Sequence, residues 1–88
     1  MDRKDLFTRD YDLLTKYMLD KIHENKQKGT WESIPIEDLI DFLEDEVIEL
    51  LKAHYYDEGN ETICRECADV ANFAMMIVGN IERERNEF

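Results

Sequence analysis

Apolar residues recur at steps of three and four along three long stretches of this chain, and only three glycines and one proline interrupt its 88 residues. That spacing puts the apolar residues of each stretch on one face of an α-helix. So few turn residues leave little room for a many-stranded β fold. With 43% apolar residues, the chain is also too hydrophobic for a disordered tail. The expected fold is all-α: one domain spanning residues 1–88, an antiparallel bundle of three main helices. A chain this short buries a modest core, so association with further copies is a common remedy.

The first helix is expected from about Asp5 to Lys26, with Phe7, Tyr11, Leu14, Met18 and Ile22 on its stripe and Leu6, Leu13, Tyr17 and Leu19 widening it. Lys28-Gly29 marks its end, a cation followed by a glycine suited to the C′ position. Pro35 fits the first position of the second helix, and Glu37 and Asp38 suit the positive end of its dipole. Leu39, Ile40, Leu43, Val47, Leu50 and Leu51 form its stripe, which runs to about His54. The loop YYDEGN follows, with Asn60 as candidate N-cap of the third helix. That helix carries Ile63, Cys67, Val70, Ala74, Ile77 and Ile81 on one face, and Gly79-Asn80 is where it is expected to weaken or end.

Charge narrows the function. The formal net charge is −11, and the segment from Gly29 to Leu51 holds eight acidic residues and no Lys or Arg. Such a chain is a poor partner for nucleic acid or an anionic membrane, both of which need a basic face, and a good one for cations. The longest apolar run, 70–78, is far short of the ~20 residues that span a bilayer. The N-terminus is charged throughout and reads as no secretory signal, so a cytoplasmic protein is expected.

The acids have a phase. Each helical residue turns about 100° from the last. With Glu46 at zero, the stripe of the second helix centres near about 60° and Glu49 falls near about −60°. With Glu66 at zero, the expected stripe of the third helix also centres near about 60°, and Asp69 falls near about −60°. Two antiparallel helices packed through their stripes then bring four carboxylates to one border of the core. Neighbouring carboxylates at ~6 Å repel by about 3 kcal/mol at an effective dielectric of ~20, so protons or a cation must compensate them. Oxygen ligands without His or Cys favour magnesium or manganese over zinc. The chemistry implied is metal-assisted hydrolysis of a phosphate ester or anhydride. The competing reading is a solvated acidic face, which suits Asp38, Asp41, Glu44 and Asp45.

Glu46-Val47-Ile48-Glu49 and, after 16 intervening residues, Glu66-Cys67-Ala68-Asp69 resemble the signature of the MazG-like, all-α nucleoside triphosphate pyrophosphohydrolases. The segments LEDEVIELLKA, RECADVANFAMMI and NKQKGTW are similar to family segments, so the resemblance covers about Leu14 to Ile81. It implies cleavage between the α and β phosphates of a nucleoside triphosphate, giving a monophosphate and pyrophosphate. It also implies Mg2+ (or Mn2+) held by Glu46, Glu49, Glu66 and Asp69, with Glu46 or Glu49 taking a proton from the attacking water. Homodimers or homotetramers would complete a four-helix-type bundle. Nucleotide contacts carry over to Trp31, Asn72, Phe73 and Lys28. Each has a plainer role: Trp31 as an anchor of the link, Asn72 as a solvated amide off the apolar stripe, Phe73 in the core, Lys28 as a helix-end cation. Asp45 stands where many relatives have Glu, and only Arg83 and Arg85 remain as counterparts of the C-terminal basic residues of longer members.

Cys64 and Cys67 form a C-x-x-C, but packing explains them better than zinc or redox chemistry. His23 and His54 suit helix ends, Met75-Met76 suits core or interface filling, and Lys52 suits local pairing with Glu49. The alternative to a hydrolase is a non-catalytic acidic helical interaction module, or a nucleotide-binding sensor without turnover.

Overall fold

The structure is a computed structural model, and it describes residues 2–24 and 30–86. Within them it is all-helical, without strands: α1 (Arg3–Glu24), a short 3-10 turn (Trp31–Ser33), α2 (Ile36–Tyr55) and α3 (Asn60–Asn86). Asp2 starts α1, its Oδ1 accepting the Asp5 amide at 2.9 Å. The expected continuation to Lys26, and the Lys28-Gly29 stop, lie outside the described residues.

α2 begins one residue later than expected. Pro35 is its N-cap and Ile36 its first helical residue, with Glu37 and Asp38 in the first turn. Its last turn carries Lys52 and His54, as that of α1 carries Lys21 and His23. The turn into α3 is a Schellman-type ending. The Glu58 amide donates to the Ala53 carbonyl at 3.0 Å and the Asp57 amide to the His54 carbonyl at 3.2 Å. Asp57 takes the left-handed conformation (φ 52°) and Gly59 follows at φ 100°. Asn60 is the first residue of α3 rather than its cap.

Gly79-Asn80 does not end α3, which runs unbroken to Asn86. The reason is tertiary. Asn80 is buried (4% exposed), and its Nδ2 donates to the Trp31 and Ile34 carbonyls, both at 3.1 Å. The Asn80 Oδ1 accepts from the Arg83 guanidinium one turn on. The helix is thus tied to the link across the weak point.

α1, α2 and the 3-10 turn all pack on α3. Facing pairs such as Phe42–Phe73 (ring centroids 5.7 Å apart) and Glu46–Glu66 show α2 and α3 running antiparallel. The buried apolar residues are Leu39, Ala53, Ala68 and Met76. On α3 the buried line is Ala68, Asn72, Met76 and Asn80. It is turned by roughly 160° from the expected stripe, of which Ala74 and Ile81 are exposed and Ile63, Cys67, Val70 and Ile77 half-buried. Among the described residues no helix is long and apolar enough to cross a membrane.

Candidate metal and ligand site

α2 turns inward a line spaced four, three, four, three: Leu39, Leu43, Glu46, Leu50 and Ala53, all buried or half-buried. Glu46 therefore stands where a leucine would otherwise pack. α3 answers with Glu66 and Asp69, both half-buried. One carboxylate oxygen from each of Glu46, Glu66 and Asp69 comes within 4.8 Å of the others. At that separation each charged pair repels by about 3 kcal/mol at an effective dielectric of ~20.

The strain is visible in the acidities. Burial, then the Asp69 and Glu66 charges, raises the carboxyl pKa of Glu46 above its usual value. Burial, then Asp69, does the same at Glu66. Both groups hold protons more readily than a solvated carboxylate, or accept a cation in place of the proton. Three carboxylates without imidazole or thiolate make a hard-oxygen donor set, which fits Mg2+ or Mn2+ and leaves coordination positions for water and phosphate oxygens. Burial raises the Cys67 pKa and keeps its thiol protonated beside this site; Cys64 and Cys67 form no disulfide.

Glu49 does not join the three. Its side chain is 54% exposed and pairs with Lys52 at 3.6 Å, the local pair expected from the sequence. Its charge still reaches the cluster and adds to the rise at Glu46 and Glu66.

Glu46 and Asp69 open on a cleft of about 630 Å3 between α1, the link, α2 and α3. That is the size of a small-ligand pocket. Glu46, Asp69 and Asp45 supply its acidic side, while Trp31, Phe42 and Phe73 supply aromatic walls. The Phe42 and Phe73 rings meet at a 43° tilt and join α2 to α3 beside the acids. Trp31 is held by the Asn80 bond to its carbonyl, and the link is further closed by Ser33 Oγ donating to the Thr30 carbonyl at 2.9 Å.

Asn72 also lines the cleft. It is 4% exposed, where the apolar phase of α3 had placed it in solvent. Its Nδ2 donates to the Met18 carbonyl of α1 at 3.0 Å, and its Oδ1 has no hydrogen-bond partner among the described residues. Lys28 lies outside the described residues, so the site is described without it.

Lys21 is the residue that apolar periodicity passes over. It follows Met18 by three and precedes Ile22 by one, a lone cation at the edge of the α1 stripe. Its Nζ lies 3.3 Å from Asp69 Oδ2 and 3.7 Å from Glu24 Oε2. Glu24 is gripped in turn by the Arg65 guanidinium at 2.5 and 2.6 Å. That bond holds the Glu24 carboxyl below its ordinary pKa.

Compared with known proteins, the chain matches no family model, no curated protein and no solved structure.

Proposed function

We propose that the chain is a Mg2+-dependent nucleoside triphosphate pyrophosphohydrolase of the MazG-like kind, cleaving between the α and β phosphates. The observation that carries the reading is the meeting of Glu46, Glu66 and Asp69, of which Glu46 and Asp69 line an aromatic-walled cleft. An acidic surface module needs its carboxylates in water, whereas these three are half-buried and close enough to demand compensation.

In this reading Glu46, Glu66 and Asp69 hold the ion, and Glu49 completes the set from the rim. The ion supplies Lewis-acid polarisation of a phosphoryl oxygen and of water. Glu46 or Glu49 takes the proton of the attacking water. Trp31 and Phe73 flank the base, beside Asn72, which its bond to the Met18 carbonyl locks in place. A second copy of the chain covers the apolar faces left open and completes a four-helix-type bundle.

The test is a panel of NTPs and dNTPs with Mg2+, scored for pyrophosphate. Release of pyrophosphate is expected, with Glu66→Gln and Asp69→Asn each reducing turnover by at least about 100-fold. Orthophosphate release, or no turnover across the panel, contradicts the reaction.

A further inference from the structure

Lys21 does more than a surface ion pair. Its side chain is 17% exposed, Asp69 beside it is 16% exposed, and the ammonium lines the same cleft as Glu46 and Asp69. Its field opposes the mutual repulsion of the acids at Glu46 and at Glu66, so one ammonium serves the whole cluster. It is also tethered from behind. Glu24 lies 3.7 Å from Nζ and is fixed by Arg65, so an ammonium pushed off Asp69 stays at the cleft beside a ready counter-charge.

We infer that Lys21 is a built-in cation of the carboxylate site, which holds Asp69 when no divalent ion is bound, yields it to an entering ion, and then serves the anion that accompanies that ion. The inference rests on the reading of Glu46, Glu66 and Asp69 as metal ligands. Two positive charges cannot share Asp69 without repulsion, so Lys21 weakens uptake of the bare ion. Displaced toward the cleft, the same charge favours a polyphosphate. Lys21 thereby couples the two ligands: ion without polyphosphate is disfavoured, and ion with polyphosphate is favoured.

The test is calorimetry on the full chain, with Mn2+ alone and then with inorganic tripolyphosphate at saturating Mn2+. Lys21→Met keeps the aliphatic stem and removes the charge; Lys21→Arg keeps the charge. Lys21→Met is expected to bind Mn2+ about tenfold more tightly than the unaltered protein and tripolyphosphate about tenfold more weakly. Lys21→Arg should stay within about twofold of the unaltered protein on both. Helical circular dichroism checks each variant, and Lys21→Gln carries the comparison if Lys21→Met does not fold. If the charge-removed variant binds Mn2+ no more tightly, or binds tripolyphosphate undiminished, the role given to Lys21 is wrong while the metal site stands. If the unaltered protein takes up no Mn2+, the metal site itself is wrong and this inference falls with it.

Discussion

At Glu46 a carboxylate fills a place in the inward line of α2 that leucines fill on either side. Burial comes first among the causes of its raised pKa, and the same is true of Glu66. The linkage follows in sign. A carboxyl whose folded pKa is raised contributes stability that is fully present below its unfolded value and is lost as pH rises through the folded value. Glu24, lowered chiefly by its hydrogen bonds from Arg65, acts oppositely: its contribution is present above the unfolded value and fades as pH falls through the lowered one. At neutral pH the paired acids on α2 and α3 are therefore a source of instability, which the proposed divalent ion would relieve. Mn2+ should raise the Tm at pH 7.5 by about 4 °C or more, the response of a domain this size to ~1 kcal/mol. The rise should shrink as pH falls into the raised carboxyl range, where protons displace the ion. Glu46→Gln should raise the ion-free Tm at pH 7.5 and remove the Mn2+ response. Thermal melts across pH and Mn2+ concentration check this, and an undiminished response in Glu46→Gln would place the ion elsewhere.

Among the elements, α3 departs most from what its sequence suggests. Asn80 is the reason it survives the Gly79-Asn80 step, and it also fixes the link that carries Trp31. Asn80→Ala removes two donor contacts to carbonyls and should lower stability by about 2 kcal/mol. Trp31 is the sole tryptophan, so its fluorescence reports the link directly. A red-shifted emission is expected in Asn80→Ala, and an unmoved spectrum with an unmoved Tm would contradict the latch. The helices themselves were legible because their apolar periodicity is long and glycine is scarce. Four carboxylates are expected at this border and three, Glu46, Glu66 and Asp69, meet there; phase alone does not account for it, because the buried line of α3 lies roughly 160° from the stripe against which Glu66 and Asp69 are phased. Glu49 was not separable from them by phase alone; its partner Lys52 and its exposure draw it to the rim. The inward face of α3 was misread because its buried line carries Asn72 and Asn80. Amides look solvated in a sequence, and only the Met18, Trp31 and Ile34 carbonyls, distant along the chain, make burial tolerable. Nothing near Lys21 in the chain marks it either, its partner Asp69 being 48 positions away (69 − 21).

Taken whole, the molecule is spread wider than its mass requires. Its radius of gyration is 14.5 Å, against about 12 Å for a compact domain of this length. Its accessible surface is 6899 Å2, where a compact monomer of 10.6 kDa exposes about 5,500 Å2. The excess exceeds the ~800 Å2 that each partner buries in a standard interface. Large apolar side chains sit on that surface, among them Phe7 at 70%, Val78 at 63%, Leu19 at 59% and Leu51 at 50% exposure. Sedimentation equilibrium should return at least twice the 10.6 kDa chain mass, and a monomer at about 100 μM would contradict the proposed assembly. The functional reading depends on one point in this open frame, the divalent ion proposed between α2 and α3. Anomalous diffraction from crystals grown with Mn2+ tests it most directly. A manganese peak within coordination distance of Glu46, Glu66 and Asp69 is the predicted result. Well-ordered carboxylates with no peak between them, or manganese bound only at other acids, would contradict it.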